Sequence, residues 1–320
     1  MSTHCILSTS PTFTKYSATS LQLLKEADCE LVMMSPKDFR EKKEFLEVLE
    51  KAEAWVVGIN KVYAEDLEQA PNLKLIIKHG SGVDSIDLQA AARHGITVAN
   101  APGTNANAVA DLAMGLILAS ARQIVSADKR LRNGFWGPIM GQDVYGKTLG
   151  VLGLGQVGRS LVQRAQGFKM KVLGYDVVHN PEFESAYGVR AATLEEIITE
   201  SDYISVHLPL LESTKNLIGV NEFAKMKSTA FLLNTCRGGV VDEEALLQAL
   251  SERKISGAAI DVFKKEPPVD SPFFALDNVI VTPHMGGYSN GAMALTSEVV
   301  SQSIVNVLRG DAPLSEVKAR

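Results

Sequence analysis

Twice along this chain, short apolar runs alternate with helical patterns, and that alternation constrains the fold more than any other feature. In the N-terminal third, "HCILST", "ELVMM", "AWVVG", "LKLIIKHG" and "ITVAN" read as strands, with helical patterns at 21–27 and 39–51 and in "AEDLEQA" and "LQAAARHG". Strand and helix in strict turn imply right-handed crossovers and a parallel sheet. Pro102 and Gly103 then break the chain, and "NANAVADLAMGLILASARQ" follows as a long helix that is apolar on most faces. Such a helix belongs between layers or domains. A second alternation starts at "KTLGVLGLGQVGRSL". Its strands are "KVLGYD", "DYISVHLP", "TAFLLNT", "GAAIDVF" and "NVIVTPH", and its helices are expected at 156–166, 194–198, 222–226 and 243–250. A last helical stretch at 290–308 has no strand after it and is expected to pack back on the first domain. The predicted layout is two α/β domains, one formed by 1–101 with 285–320 and the other by 102–284.

The chain has 320 residues, 46% hydrophobic and 22% charged, enough apolar content for two cores. Its 32 Lys and Arg against 37 Asp and Glu leave a net charge of −5, so it lacks the cationic excess that nucleic acid or an anionic membrane demands. A small-molecule partner is expected. Cys5, Cys29 and Cys236 form no C-x-x-C, which speaks against a disulfide framework or a zinc site and for a reducing compartment. No metal site is expected. The N-terminus "MSTHCILSTSP" lacks the pattern of a secretory signal, and no apolar run reaches spanning length. A cytoplasmic location is the expectation.

"VLGLGQVG" sets Gly153, Gly155 and Gly158 in G-x-G-x-x-G directly after a strand, with Gln156 and Val157 opening the next helix. The first glycine permits the tight turn, the second lets backbone approach a pyrophosphate, and the third allows close helix–strand packing. The helix N-terminus adds unpaired N–H groups. The following strand ends in Asp176, whose carboxylate can accept from both ribose hydroxyls and repel a 2'-phosphate. NAD is therefore the expected cofactor. Taken alone the motif is a weak signal, and a glycine-rich turn that binds nothing is the alternative.

Ligands of open α/β sheets sit at the carboxyl ends of the strands. Those ends carry Asp176, His207 and Pro209 of "VHLP", Arg237 of "NTCRGG", Asp261 of "AIDVF", Glu266 of "KKEPP" and His284 of "TPHMGG". Arg237 is the only charge between Ser228 and Val241, a cation delivered to the end of a buried run. Read singly, Arg237 is as well a salt-bridge residue, Glu266 a solvated loop acid and His284 a hydrogen-bonded strand end.

Together these motifs resemble the D-isomer-specific 2-hydroxyacid dehydrogenases. "GKTLGVLGLGQVGRSL", "SDYISVHLPLLESTKNLI", "LLNTCRGGVVDEEALLQAL", "GAAIDVFKKEPP" and "NVIVTPHMGG" occur in that family's order and spacing over nearly the whole chain. The resemblance implies a Rossmann NAD domain and a flavodoxin-like catalytic domain, both doubly wound parallel sheets, with a cleft between them and glycine-flanked hinges near 102 and 286. It implies reversible hydride transfer between NADH and a 2-oxo acid. Arg237 would bind the substrate's carboxylate and ketone oxygens through its planar fork. His284 would exchange the proton on the 2-oxo oxygen, and Glu266 would orient and stabilise the imidazolium. "KHGSGVDSID" resembles the substrate loop, with the Ser81 and Gly82 N–H groups on the carboxylate. Thr104 and Asn107 would lie on the nicotinamide side, Asp261 would hold the carboxamide, and His207, Pro209 and Thr214 would line the ribose and adenine groove. Thr235 and Cys236 of "NTCRGG" would flank the cofactor, Cys236 as a small residue and not a nucleophile. "RQIVSADKRLRNGFWGPIMGQDVYGK" resembles the family's dimerisation arm, so a homodimer is expected.

Among family members the sequence is nearest the phosphoglycerate dehydrogenases and the hydroxypyruvate or glyoxylate reductases. One departure separates it from the former: where they commonly read "VRSATKV", this chain reads "VVGINKV", with Val57 in the place of an arginine expected to meet a phosphate. Lys78 or His79 are the candidates for replacing that charge. Unphosphorylated acids are the expected substrates, with 3-phosphoglycerate the alternative. Because the same fold also serves a corepressor, an NAD(H)-sensing regulator is the alternative from another class.

Overall fold

The computed structural model describes residues 3–35, 39–41 and 43–318. Lys42, inside the helix expected at 39–51, lies outside the described residues. The chain divides into two compact units, Met1–Asn105 with Gly287–Arg320, and Ala106–Gly286.

The first unit opens with β1 (His4–Ser8), α1 (Ala18–Glu26), β2 (Cys29–Met33), α2 (Lys43–Leu49), β3 (Ala54–Val57), α3 (Ala64–Glu68), β4 (Leu75–Lys78), α4 (Leu88–Arg93) and β5 (Thr97–Ala99). These strands form an all-parallel sheet in the order β2-β1-β3-β4-β5, the flavodoxin-like order with its switch point between β1 and β3. Alternate residues feed opposite faces. Trp55 and Val57 join Phe45, Leu49 and Leu67 on one side, while Ala54 and Val56 join Leu24 and Ile77 on the other. Each such large side chain contributes about 1.5–3 kcal/mol by leaving water.

The second unit runs through α5 (Ala106–Ala121), α6 (Ile124–Arg132), β6 (Thr148–Leu152), α7 (Gln156–Ala165), β7 (Lys171–Tyr175), α8 (Pro181–Ala186), β8 (Val189–Ala191), α9 (Leu194–Glu200), β9 (Tyr203–Val206), α10 (Val220–Lys225), β10 (Phe231–Asn234), α11 (Glu243–Ser251), β11 (Gly257–Ile260) and β12 (Val279–Val281). Its seven-stranded parallel sheet has the order β12-β11-β10-β9-β6-β7-β8. The connection reverses between β6 and β9, which opens the switch-point crevice at the ends of those two strands. Residues of α5 and α7 cover one face, from Ala110 and Ile117 to Leu161 and Val162, and residues of α9, α10 and α11 cover the other. The long apolar helix is thus a core element, and no single helix among the described residues is long and apolar enough to cross a membrane.

Sequence reading missed β8, α8 and α6. Neither α6 nor α8 buries a residue, and β8 buries only Val189, so no apolar stripe marks them. The available signal for α8 was a cap: Asn180 accepts from the Phe183 N–H, with Pro181 at the first helical position.

The chain returns to the first unit in α12 (Asn290–Leu308), capped by Ser289. Val300 and Ile304 enter the core beside Ile6 and Val56. Around them Thr296, Ser297 and Ser301 are wholly buried and bonded, with Ser301 Oγ 2.7 Å from Ser20 Oγ and Thr296 Oγ1 2.7 Å from Thr104 Oγ1. The first crossing falls after Asn105, where 101 had been expected, because Thr104 also donates to the Ala101 carbonyl and stays with this unit. The second falls after Gly286, where 284 had been expected, because Asp261 holds the Met285 and Gly286 N–H groups.

Candidate active site

In the second unit the glycine turn follows β6 directly. Gly153 has a φ of 101°, and a Cβ there would lie 2.6 Å from the His207 carbonyl oxygen, so glycine lets β6 and β9 end side by side. A Cβ on Gly158 would sit 2.0 Å from the Gly153 carbonyl oxygen, which is why α7 starts so close to the strand. Gly155 has nothing within 4 Å of a built Cβ and caps α7 without a side-chain bond. The first-turn N–H groups of α7, including Gln156 and Val157, therefore face an open position with partial positive charge, as a pyrophosphate requires. Asp176 closes the turn: its carboxylate accepts from the Leu154 N–H at 2.7 Å and the Val178 N–H at 3.0 Å. At the end of β10, the hydroxyl of Thr235 is buried with no partner among the described residues. These features fit a dinucleotide.

The charged constellation lies on the loops after three adjacent strands, β10, β11 and β12. Asn234 braces the first: its amide donates to the Arg237 carbonyl at 2.9 Å and its oxygen accepts from the Cys236 N–H at 3.2 Å. Asn234 went unnoticed in the sequence, where a polar residue ending an apolar strand has no distinctive pattern. Arg237 is half-buried and donates through Nη1 to the Cys236 carbonyl at 2.7 Å. Burial pushes the Cys236 thiol up to about 11, against the pull of the Arg237 backbone and charge, which leaves it inert as a nucleophile.

Glu266 and His284 lie in contact. His284 Nδ1 lies 2.7 Å from Glu266 Oε2, while Glu266 Oε1 accepts from the Phe263 N–H at 3.0 Å. Burial alone would push the Glu266 carboxyl up. The hydrogen bonds from His284 and the Phe263 N–H, with the charges of His284 and Arg237, nonetheless hold it below the usual carboxylate range. Glu266 is thus an ionised acceptor for the imidazole, and among the described residues Nε2 has no partner. His284 adopts a φ of 49°, a left-handed conformation that costs energy in a non-glycine residue and needs outside support.

That support is Asp261. Asp261 is 1% exposed, and its carboxylate accepts from Thr282 Oγ1 at 2.6 Å, the Met285 N–H at 2.9 Å and the Gly286 N–H at 2.8 Å. These bonds hold the turn that carries His284. Three further residues expected around the cofactor have partners within the protein. His207 bonds Ser205 Oγ at 2.8 Å and is driven by burial down to about 4, a neutral imidazole. Thr214 Oγ1 donates to the Pro209 carbonyl at 2.5 Å, closing the loop after β9. Asn107 accepts from Arg164 at 3.3 Å on the α5 side of α7.

In the first unit, the loop after β4 is held through its carbonyls and the Ser81 hydroxyl. The Gly80 carbonyl accepts from the Ala101 N–H at 2.9 Å, the Ser81 carbonyl from Asn100 Nδ2 at 2.6 Å, and Ser81 Oγ lies 3.3 Å from Asn105 Oδ1. Among the described residues, neither the Ser81 nor the Gly82 N–H donates to a protein acceptor. Gly80, with a φ of 152°, allows that exposure. His79 does not supply a replacement cation. It is 8% exposed, bonded to Ser10 Oγ at 3.0 Å, Thr12 Oγ1 at 3.3 Å and Ser297 Oγ at 2.9 Å, and pushed down to about 4 by burial and the Lys78 charge. Lys78 Nζ donates to the Gly58 carbonyl and to Ser85 Oγ. Val57 is wholly buried in β3.

A dinucleotide cradle, with an acid–imidazole pair and a guanidinium on neighbouring strand ends, defines the class as a nicotinamide-dependent oxidoreductase. Residues 114–286 match the family described as "D-isomer specific 2-hydroxyacid dehydrogenase, NAD binding domain". The chain is 40% identical over 280 residues to a glyoxylate reductase of Korarchaeum cryptofilum, covering 85% of this chain and 84% of that protein. It is 43% identical over 274 residues to a D-3-phosphoglycerate dehydrogenase of Methanocaldococcus jannaschii, covering 84% of this chain but only 52% of that protein, about half its length. The structure of D-lactate dehydrogenase with NAD+ from Lactobacillus jensenii matches with a TM-score of 0.80 and 27% identity, over 98% of this chain and 100% of that one. The chain belongs to the D-isomer-specific 2-hydroxyacid dehydrogenases, and its cofactor is NAD.

Proposed function

We propose that the chain reversibly reduces small, unphosphorylated 2-oxo acids of the glyoxylate and hydroxypyruvate class, using Arg237, Glu266 and His284. The observation that carries this reading is the 2.7 Å contact of His284 with an ionised Glu266, in the unit that also bears Arg237. When bound, the reduced nicotinamide supplies the hydride to C2 of the oxo acid. His284 donates the proton to the 2-oxo oxygen from Nε2, and the Glu266 carboxylate stabilises the imidazolium through Nδ1. Arg237 binds the substrate's carboxylate and ketone oxygens in bidentate fashion. The Ser81 and Gly82 N–H groups are also suited to the carboxylate. Gly153, Gly155, Gln156, Val157 and Gly158 would hold the pyrophosphate, Asp176 the ribose, and Thr235 and Cys236 the nicotinamide side. Pro209, Thr214 and His207 would shape the adenine side through backbone, and Thr104 and Asn107 would support the nicotinamide side in the same way. Asp261 would hold the carboxamide while bracing the His284 turn.

The phosphoglycerate relative favours 3-phosphoglycerate as a second reading. Against it stand an apolar, wholly buried Val57, a neutral His79 and a Lys78 already bonded to Gly58 and Ser85, so none of these three positions offers a dianion a bidentate cation. NADH oxidation with glyoxylate, hydroxypyruvate and 3-phosphohydroxypyruvate tests the reading, and a kcat/KM highest for the phosphorylated acid refutes it. Absence of turnover with any 2-oxo acid would favour a regulator.

Homodimerisation is part of the proposal. Ile124, Val125, Leu131, Phe135, Trp136 and Met140 are all exposed within one stretch, Trp136 at 91% and Met140 at 94%, an apolar load suited to a second copy of this chain. Sedimentation of the native chain against a Trp136→Glu variant tests it, with a monomeric native chain as the refuting result. A reducing compartment such as the cytoplasm suits the free thiols of Cys5, Cys29 and Cys236.

A further inference from the structure

The loop that carries Glu266 is held from outside by an acid that the reading above does not use. α11 begins at Glu243, but Asp242 is the residue that caps it, accepting from the Glu244 and Ala245 N–H groups at 3.0 and 3.2 Å. A carboxylate in a first helical turn ordinarily complements the helix dipole. Glu243 does something further: its Oε1 accepts from the backbone N–H of Lys264, in the loop after β11. The neighbouring N–H, that of Phe263, donates to Glu266. Successive amides of one turn are therefore bonded to two carboxylates, one fixing the turn to α11 and the other fixing Glu266 within the turn. Gly238 sets the depth of this contact, since a Cβ there would lie 2.1 Å from the Phe263 carbonyl carbon and 2.2 Å from the Lys264 nitrogen. Beyond Lys264 the loop is exposed through Pro267, so little else restrains the Glu266 backbone.

We propose that Glu243 is a positioning residue for hydride transfer: through the Lys264 amide it fixes the turn that presents Glu266 to His284. The kinetic part rests on the roles given above to Glu266 and His284; the geometric part does not. Without Glu243 the turn is free to drift, and errors of about an ångström in a reacting constellation cost up to about a hundredfold in rate. Glu243→Gln keeps an acceptor for the amide, whereas Glu243→Ala removes it.

Two measurements test this, with Glu266→Gln and His284→Asn as references. In the NADH-bound enzyme, Glu243→Ala is expected to lower kcat by about tenfold with little change in KM for NADH, and to move the pH profile of reduction in the direction taken by Glu266→Gln. Glu243→Gln is expected to recover kcat to within about threefold of the native enzyme. In the cofactor-free protein, the downfield proton resonance of the His284–Glu266 hydrogen bond is expected in the native chain and in Glu243→Gln, and weakened or shifted in Glu243→Ala. Full turnover by His284→Asn or Glu266→Gln would overturn the catalytic reading while the resonance still reports on Glu243. An unchanged resonance and pH profile in Glu243→Ala would overturn the positioning role, as would losses confined to KM or to melting temperature, or a Glu243→Gln no better than alanine.

Discussion

Acidification should loosen the first unit through one side chain, His79. Its imidazole is held neutral among Ser10, Thr12, Ser297 and the edge of Phe13, with its folded pKa near 4 against 6.5 for the free side chain; burial is the larger cause and the Lys78 charge the second. The sign follows from which state takes up the proton. Between pH 6.5 and about 4 the unfolded chain protonates His79 while the folded chain does not, so stability is full above 6.5 and falls as pH drops through that window. For a shift of this size the loss is about 2 kcal/mol at pH 5 and about 3 kcal/mol at pH 4. At pH 5 that corresponds to a melting temperature lower by roughly 4–8 °C. Trp55 offers a local probe, being wholly buried in the same unit, whereas Trp136, the other tryptophan, is 91% exposed and would be replaced by Phe in the assay background. Thermal unfolding followed by Trp55 fluorescence is expected to show this fall in the native chain and a flatter dependence in His79→Gln. The same acid dependence in both proteins would refute the assignment of a buried neutral His79.

Other perturbations address the second unit. His284→Asn is expected to lower kcat about a thousandfold, within the range general acid catalysis supplies, while fluorescence titration shows NADH binding nearly unchanged; turnover within tenfold of native would remove His284 from its role. Asp176→Ala is expected to narrow a native preference for NADH over NADPH in kcat/KM, and equal native use of the two would count against the ribose contact. Gly158→Ala forces a methyl to within 2.0 Å of the Gly153 carbonyl oxygen, so it is expected to cost about 1–3 kcal/mol of stability and to weaken NADH binding; native-like melting and binding would show that the turn can yield.

The parts of this protein that were legible in the sequence are those where residue type breaks the local pattern. Parallel strands buried on both faces read as continuous apolar runs, so a cation such as Arg237, or an imidazole such as His284, stands out where the run ends. The glycines of the cradle were legible because only a missing Cβ tolerates the 2.0 and 2.6 Å approaches found at Gly158 and Gly153. The residues that hold the constellation in place were not legible, because their partners are backbone amides that carry no sequence signature. Asp261 bonds the Thr282 hydroxyl and the Met285 and Gly286 amides just after His284, partners that its place in "AIDVF" does not announce. Glu243 looked like an ordinary first-turn acid, and only the fold brings it to Lys264. His79 failed in the opposite sense: its formal charge suggested an anion site, whereas burial among hydroxyls keeps it neutral. Charge read from a sequence is only a capacity, and the surrounding packing determines whether it is expressed. The same packing bears on substrate choice, because Val57 is wholly buried and restoring an arginine there would place a guanidinium in the core beside Trp55 and Leu67. A single substitution at 57 is therefore expected to destabilise the first unit before it creates a phosphate site, and a folded Val57→Arg chain that gains activity on 3-phosphohydroxypyruvate would refute that argument.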